Sequence, residues 1–307
     1  GSYDANVYAL SAADGTEQWR YQTGGAVYGP PAVVDDTVFV GSDDNAVYAL
    51  SADDGSQQWR FETGDAVASS PAVVGGTVYV GSYDNAVYAL SSDDGSQQWR
   101  YETGRSVSSD PTVADGTVYV GSHDGEMYAL CGADGTEQWR YSAGDRVMGA
   151  PAVADGTVYF GADHHGVHAV SADDGTEQWH YDTGEHNPVS SSVAVVDGRV
   201  FVQSNEYHVY ALSADDGTEQ WHYDAGDHRA VSPSPAVVEG TVYVGGQDAV
   251  HALSAVDGTE LWAYEVTDPV EASPTVADGT VYVGSNRTPT LFEDSEYTQT
   301  VYALIEP

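Results

Sequence analysis

Short runs of β-branched and aromatic residues alternate with polar turn segments along the whole chain. In one representative stretch the apolar runs cover residues 71–74, 77–80, 86–90 and 98–101, and Gly, Asp, Asn and Ser dominate the segments between them. Such runs predict four short β-strands, because these side chains favour strands and the intervening residues favour tight turns. A helical repeat is excluded, since no window shows apolar residues at 3.6-residue spacing.

This pattern repeats about every 40 residues, and a tryptophan closes each repeat. The spacings are 40, 40, 40, 40, 42 and 41 residues, between Trp19, Trp59, Trp99, Trp139, Trp179, Trp221 and Trp262. A period near 40 is typical of a unit that buries its apolar face only against its neighbours. Four strands per unit predict the blade of an all-β propeller. No break in composition interrupts the series, so we expect one domain over residues 1–307.

The number of blades follows from counting strands, which we label A to D from the axis outward. The sequence contains seven A, seven B, eight C and seven D runs. The D run over residues 18–23 can complete the last blade, which ends at its C run, and so close the ring and remove an open sheet edge. Seven A runs favour seven blades with one surplus C strand. The alternative is an eight-bladed ring that lacks three strands.

The net charge of the chain limits the classes of partner that it can bind. It contains 48 acidic residues and nine cationic ones, all arginine, for a net charge of −39. Such a surface repels nucleic acid and anionic lipid, and no apolar run reaches the ~18 residues of a membrane span. Acidic residues spread through an ordered chain without lysine indicate adaptation to molar salt, where the Debye length falls to ~3 Å. The alternative is an ordinary acidic protein.

The closing phrase of each repeat resembles a known family. Ala-x-Ser-x-x-Asp-Gly-x-x-x-Trp, followed by Tyr/Phe-x-Thr/Ala-Gly and Ser-x-Pro-Ala-Val, is similar to the pyrroloquinoline-quinone-like (PQQ-like) repeat. It departs from the family phrase at three positions. This chain has Ser where the family has Asp at the third position, Asp in place of Thr at the sixth, and Thr or Ser in place of Lys at the eighth. The resemblance implies a β-propeller, usually of eight blades. Family members include quinone-dependent dehydrogenases and cofactor-free scaffolds, such as the propeller lipoprotein of outer-membrane protein assembly, so it leaves function open.

The tryptophans and the Asp-Gly steps are expected to be structural. Each tryptophan wedges against the next blade and buries on the order of 200 Å², so we assign none of the seven to a ligand. The Asp-Gly steps are typical of hairpin turns that need a positive φ. A calcium loop is not expected, because no Asp-x-[Asp/Asn]-x-[Asp/Asn]-Gly spacing occurs.

Loop lengths differ between the two faces of the predicted propeller. The A–B and C–D turns keep their length in every repeat. The D–A step is 7 residues in four repeats but 9 from Gly184 to Val193 and from Gly226 to Pro235, and the last B–C loop is an insertion over 285–300. Because specialised loops on a constant scaffold usually carry binding, we expect the B–C/D–A face to bind a protein, peptide or glycan.

Rare cations, histidines and one carboxylate gather in the loops of that face. These candidate binding residues are Arg105, Asp110, Arg146, His123, His164, His165, His186, His228 and Arg229. In so acidic a chain, these residues form a local group of positive or titratable side chains that could attract an anionic ligand or an acidic segment. The alternative is that the arginines only pair with nearby carboxylates. A metal site is not predicted, since the adjacent pair His164 and His165 need not converge on one ion.

The composition argues against catalysis. A quinone-dependent dehydrogenase would need a carboxylate base, calcium ligands and cations for the quinone, which Asp110 with Arg105 or Arg146 could imitate only in part. The resemblance also implies a vicinal disulfide in the alcohol dehydrogenases, which the single Cys131 excludes. No motif supports PQQ or Ca²⁺, so we predict neither and assign no catalytic residue, and both groups belong to the quinoprotein alternative given below.

Three functional hypotheses remain. The first is a non-catalytic binding or scaffold propeller, located at the cell surface of a halophile or outside the cell, with the cytoplasm as an alternative. The second is a PQQ-dependent dehydrogenase-like quinoprotein. The third is a passive repeat module of a longer surface protein. The sequence identifies no partner and indicates no oligomeric state.

Overall fold

Every regular element of the described chain is a β-strand. The computed structural model describes residues 1–184, 187–226, 233–270, 272–287 and 298–305. Within these ranges no helix is present that is long and apolar enough to cross a membrane. The chain divides into two compact units, Gly1–Pro151 and Ala152–Pro307. Each is described by itself, and the expectation of a single domain over residues 1–307 stays a prediction.

The first unit contains fourteen strands in its described residues. They are β1 (Asn6–Leu10), β2 (Glu17–Gln22), β3 (Ala32–Val34), β4 (Thr37–Ser42), β5 (Ala46–Ser51), β6 (Gln57–Glu62), β7 (Ala72–Val74), β8 (Thr77–Ser82), β9 (Ala86–Ser91), β10 (Gln97–Glu102), β11 (Thr112–Ala114), β12 (Thr117–Gly121), β13 (Glu126–Cys131) and β14 (Glu137–Ser142).

The second unit contains fifteen strands in the residues that the structure describes. They are β15 (Ala152–Ala154), β16 (Thr157–Ala162), β17 (Gly166–Ser171), β18 (Glu177–Tyr181), β19 (Ala194–Val196), β20 (Arg199–Gln203), β21 (His208–Ser213), β22 (Glu219–Asp224), β23 (Ala236–Val238), β24 (Thr241–Gly245), β25 (Ala249–Ser254), β26 (Glu260–Glu265), β27 (Thr275–Ala277), β28 (Thr280–Arg287) and β29 (Thr298–Ile305).

Burial explains why these runs become strands. The second and third strands of a blade are apolar along their length and almost wholly buried, as in β8 and β9. The fourth strand alternates, so that in β10 Trp99 is buried while Arg100 faces solvent. Each core is shared by two neighbouring sheets. In one core Phe39 and Trp59 from one blade pack with Val78 from the next, so a blade is stable only beside another blade.

The strands pair antiparallel in the order A-B-C-D, and the fold is a seven-bladed β-propeller. Within the described residues seven sheets begin with an inner strand; six of them have four strands and the seventh is β27–β29. Each C–D pair has the same β-bulge, for example opposite Ala49 and Leu50 of β5. One extra residue on strand D increases the local twist of the sheet there.

The N-terminal strands differ from the sequence-based expectation. Residues 18–23 were expected to complete the last blade, with the preceding C strand left over. Instead β2 pairs with β1 in a two-stranded sheet, and β27–β29 form a three-stranded sheet. The reason is local. β1 and β2 keep the C–D hairpin of every complete blade, with Asn6 opposite Gln22 and a turn closed by the Ser11 amide on the Thr16 carbonyl at 2.8 Å.

Backbone hydrogen bonds sort the connections of each blade into two sides. On one side A–B turns contact C–D turns, through Ala52 N to Asp36 O, Ser92 N to Gly76 O and Gly132 N to Gly116 O. On the other side B–C loops contact D–A loops, through Asp43 N to Ala26 O, Tyr83 N to Ala66 O and His123 N to Ser106 O. We call the second side of unit 1 the loop face.

Candidate functional site

The loop face of unit 1 is held rigidly by the blades beneath it. Side chains of the B–C loops accept from the D–A backbone, as the Gly64 amide donates to Asp84 Oδ2 at 2.8 Å and the Gly104 amide to Asp124 Oδ2 at 2.7 Å. Each carboxylate also accepts from a tyrosine of its own blade, Tyr88 at 2.5 Å and Tyr128 at 2.8 Å. These bonds fix the loops, so exposed side chains project from a preorganised base.

Arg105 is anchored through its backbone and leaves its side chain exposed on the loop face. Its carbonyl oxygen accepts from Thr103 Oγ1 at 2.6 Å and Ser122 Oγ at 3.1 Å. The ion pairs found among the described residues do not include Arg105. By contrast, Arg60 pairs with Glu62 at 2.5 Å on an outer strand. The contacts that anchor Arg105 among the described residues are therefore those of its backbone carbonyl.

Arg146 is an exposed cation near the start of the next D–A loop. Its backbone amide donates to Asp145 Oδ1 at 2.8 Å, which shapes the loop start around a neighbouring carboxylate. Arg105 and Arg146 thus both lie at the start of a D–A loop in consecutive repeats, but they are offset by one position, since Arg105 lies two residues before Val107 and Arg146 one residue before Val147.

Asp110 lies immediately before the inner strand of its blade and links two blades. Its Oδ1 accepts from the Ser70 amide at 2.6 Å. Serines make the same kind of link elsewhere, from Ser192 N to Ser234 Oγ and from Ser234 N to Ser273 Oγ, both at 2.9 Å. Burial raises the pKa of Asp110 to about 6, while the Ser70 amide opposes the shift. At this position before the inner strand, a titratable carboxyl group thus replaces the neutral hydroxyl group of those serines.

The predicted histidines that the structure describes lie on loops of both units. His123 Nε2 lies 2.8 Å from Ser108 Oγ, and its ring centroid lies 6.1 Å from that of Tyr83. His164 and His165 are exposed on a B–C loop of unit 2. His186, His228 and Arg229 lie outside the described residues, as does most of the 285–300 insertion.

Among the described residues, the oxygen and nitrogen ligands are not arranged as calcium and PQQ require in quinone-dependent dehydrogenases. Across the described ranges, no three His, Cys, Asp or Glu side chains are arranged to hold a metal ion. Calcium needs several oxygen ligands converging at 2.3–2.6 Å, and Asp110 is instead engaged with a backbone amide.

Exposed tyrosines on the loop face were missed by the sequence-based reasoning. Tyr3, Tyr28 and Tyr83 are 45%, 51% and 39% exposed, and the rings of Tyr3 and Tyr28 meet edge to face with centroids 4.9 Å apart. We call Tyr3, Tyr28, Asp43 and Tyr83 the tyrosine patch. The available signal was the comparison of repeats, because the positions equivalent to Tyr28 hold Ala68, Ser108 and Met148.

Four-stranded blades, and tryptophans that reach from one repeat to the next, define the chain as a β-propeller of PQQ-like repeats. The Trp59 indole donates to the Ser92 carbonyl at 2.8 Å, and Trp99 donates to Gly132 in the same way. The chain belongs to the family described as the β-propeller of β-alanine-activating enzyme, whose model matches residues 32–241. The model of outer membrane protein assembly factor BamB matches residues 225–304. No curated protein sequence matches the chain.

Two solved structures share the fold. BamB from Moraxella catarrhalis has a TM-score of 0.80 and 19% identity, and the match covers 93% of this chain and 89% of that one. The computationally designed Ika8 protein has a TM-score of 0.80, 17% identity and the same coverage. At these identities the similarity establishes architecture. A designed protein shares it equally well, so function must be argued from the loop face.

Proposed function

We propose that this chain is a non-catalytic scaffold that binds a protein partner through its loop face. The observation that carries the proposal is the exposed tyrosine patch on a base of hydrogen-bonded loops. Tyrosine supplies large contact area at little cost in side-chain entropy, and it is enriched at protein interfaces. The similarity to BamB, whose name describes a protein assembly factor, supports a protein partner. A peptide or a glycan is the alternative ligand.

We place this scaffold outside the cell or at the cell surface, in a high-salt environment. The net charge of −39 without a single lysine supports the salt part of the proposal, because screening at molar ionic strength removes repulsion that would otherwise oppose the compact state. Asp110, Arg105, Arg146 and His123 remain candidate contacts of the partner. The same role is proposed for His164 and His165.

A steric block tests which face binds without assuming the chemistry of contact. In a Cys131→Ser background, Asp65→Cys places a thiol on a D–A loop and Asp93→Cys places one on a C–D turn. Both aspartates are exposed, so the two variants lose the same charge. Each thiol is coupled to a polyethylene glycol maleimide, and partner capture from a high-salt extract is quantified.

We expect the modified Asp65→Cys protein to lose capture and the modified Asp93→Cys protein to keep it. Equal capture by both would contradict a binding role for the loop face. Capture of nothing by the unmodified protein would favour the passive repeat module instead.

A further inference from the structure

The tyrosine patch combines exposed aromatic rings with a carboxylate, that of Asp43. Asp43 lies beside the Tyr28 hydroxyl, and both its own backbone and that of Tyr83 are held by D–A carbonyls at 2.9 Å. Burial raises the pKa of Tyr28, and the charge of Asp43 adds to this effect. Burial also raises the pKa of Tyr83, again with a contribution from Asp43. One carboxylate therefore lies close to two exposed phenol rings.

A tyrosine beside a carboxylate also occurs at two other places in unit 1. At both places an arginine of the chain itself contacts the tyrosine ring. Arg60 lies over the ring of Tyr48, with Cζ 5.5 Å from the centroid and Nε 3.0 Å from the hydroxyl oxygen. The Tyr48 hydroxyl donates to Asp44. A guanidinium thus stacks on a tyrosine whose hydroxyl is bound by a carboxylate, a favourable cation–π geometry.

Arg100 and Tyr88 repeat this arrangement one blade later. Arg100 Cζ lies 5.5 Å from the Tyr88 centroid, and the Tyr88 hydroxyl donates to Asp84 Oδ2 at 2.5 Å. In the part of the chain that the structure describes, the cation–π contacts are those of Arg60 and Arg100, and none involves Tyr28 or Tyr83. The patch therefore has the tyrosine and the carboxylate of the internal pairs but lacks their cation.

The electrostatic surroundings of the patch also favour a cation. Asp65 and Asp44 lie near enough to Asp43 to add to the rise in its pKa, which is caused mainly by burial. A chain of net charge −39 draws positive groups towards its surface. Aromatic contact adds the specificity that a diffuse negative field lacks, and it persists in concentrated salt better than an exposed ion pair does.

We propose that Tyr28, Asp43 and Tyr83 bind an arginine or lysine side chain presented by a basic segment of a partner protein. The rings take the cation on their faces, and Asp43 accepts its hydrogen bonds. This inference rests on the proposed protein-binding function and names the chemistry of the segment that the loop face recognises.

Synthetic peptides test the site directly. The probe is a short peptide with arginines separated by glycines, and its control has citrulline in place of each arginine, which keeps the shape and removes the charge. Binding to the whole chain is measured by calorimetry in dilute and in concentrated KCl. We expect the arginine peptide to bind and the citrulline peptide to bind at least about tenfold more weakly, since each 1.4 kcal/mol is tenfold.

Matched variants separate the site from the general charge of the protein. Tyr28→Ala should weaken binding roughly two- to thirtyfold, the range of a cation–π contact, whereas Tyr28→Phe keeps the ring and most of the affinity. Asp43→Asn should weaken binding more than Asp93→Asn, which removes the same charge from a C–D turn. Tyr264→Ala removes an equally exposed tyrosine from β26 and should change nothing. Circular dichroism checks that each variant folds.

The outcomes distinguish this inference from the proposed function. Equal weakening by Asp43→Asn and Asp93→Asn, or no effect of Tyr28→Ala and Tyr83→Ala, would overturn the cation site and leave only a negative field. If partner capture still depends on the loop face in that case, the scaffold role stands with a different contact chemistry. If the cation site fails and partner capture also does not depend on the loop face, the scaffold role is rejected as well.

Discussion

Asp110 shows how one change within a repeat alters the physics of a position. Its equivalents in other repeats are proline, serine or alanine, and the serines link blades with a neutral hydroxyl. The Asp110 carboxylate makes the same link to the Ser70 amide. Because its charge is desolvated there, its pKa rises from 3.8 to about 6. The folded protein therefore binds this proton more tightly than the unfolded chain does.

Asp110→Asn should stabilise the protein near neutral pH. The contribution of the protonated carboxyl is fully present below its unfolded pKa of about 3.8 and is lost as the pH rises through about 6. The neutral amide escapes this loss and can still accept from Ser70. We expect a gain of about 1–3 kcal/mol at about pH 7.5 that vanishes at about pH 4, measured by urea unfolding. A gain of equal size at both pH values would contradict the assignment.

At the scale of elements, neighbouring blades are joined where a tryptophan contacts the turn glycine of the next repeat, as the described residues show for Trp19, Trp59, Trp99, Trp179 and Trp221. Gly95 has φ +72°, and a Cβ built on it would lie 2.7 Å from Cε3 of Trp59. The same contact recurs between Gly55 and Trp19, and between Gly135 and Trp99. Only glycine meets both demands, a left-handed backbone and no side chain against the indole. The Asp-Gly step thus forms the turn and also provides the surface against which the tryptophan of the preceding repeat packs.

Gly95→Ala should destabilise unit 1 by roughly 2–5 kcal/mol, because it adds backbone strain to overpacking against Trp59. Gly75→Ala is the matched control, since Gly75 also has a positive φ (+60°) but a Cβ added there would meet nothing within 4 Å. It should cost only about 1 kcal/mol. Urea unfolding in concentrated KCl, followed by tryptophan fluorescence, measures both. Equal losses would show that backbone conformation alone decides the effect.

At the scale of the whole molecule, net charge sets the conditions under which the blades stay packed. The carboxylates are spread through the repeats, and many lie exposed in C–D turns. There they accept from nearby amides and hydroxyls, as Asp94 Oδ1 does from Ser96 N at 3.0 Å. These local bonds do not neutralise charge. Mutual repulsion at low ionic strength therefore opposes the folded state.

The melting temperature should rise by roughly 5–10 °C between dilute buffer and multimolar KCl, which corresponds to a few kcal/mol for a chain of this size. Sucrose at matched osmolality is the control, because it favours compact states without screening charge. An unchanged melting temperature in KCl, or an equal rise in sucrose, would contradict adaptation to high salt.

Much of the architecture was readable from the chain alone. The four apolar runs per repeat became strands, the repeat resemblance was correct, and seven inner strands indicated seven blades. The pairing of β1 with β2 was not foreseen, because counting strands does not show which hairpin keeps its partner. Nor was the tyrosine patch, whose members come from different loops. The repeats were compared only for charged residues, and this comparison missed Tyr28. The residues at the equivalent positions of other repeats are small or apolar, so a tyrosine there was a visible exception.

The sequence by itself determined the blade, because strand, turn and tryptophan positions are local patterns that recur every 40 residues or so. Only the tertiary structure decided the chemistry of the loop face. Asp110 acquires its raised pKa from burial against Ser70, which lies one repeat away. Asp43 comes to lie beside Tyr28 and near enough to Tyr83 to affect its pKa, because neighbouring loops pack side by side. Desolvation and proximity depend on contacts between repeats, and such contacts exist only once the blades are packed.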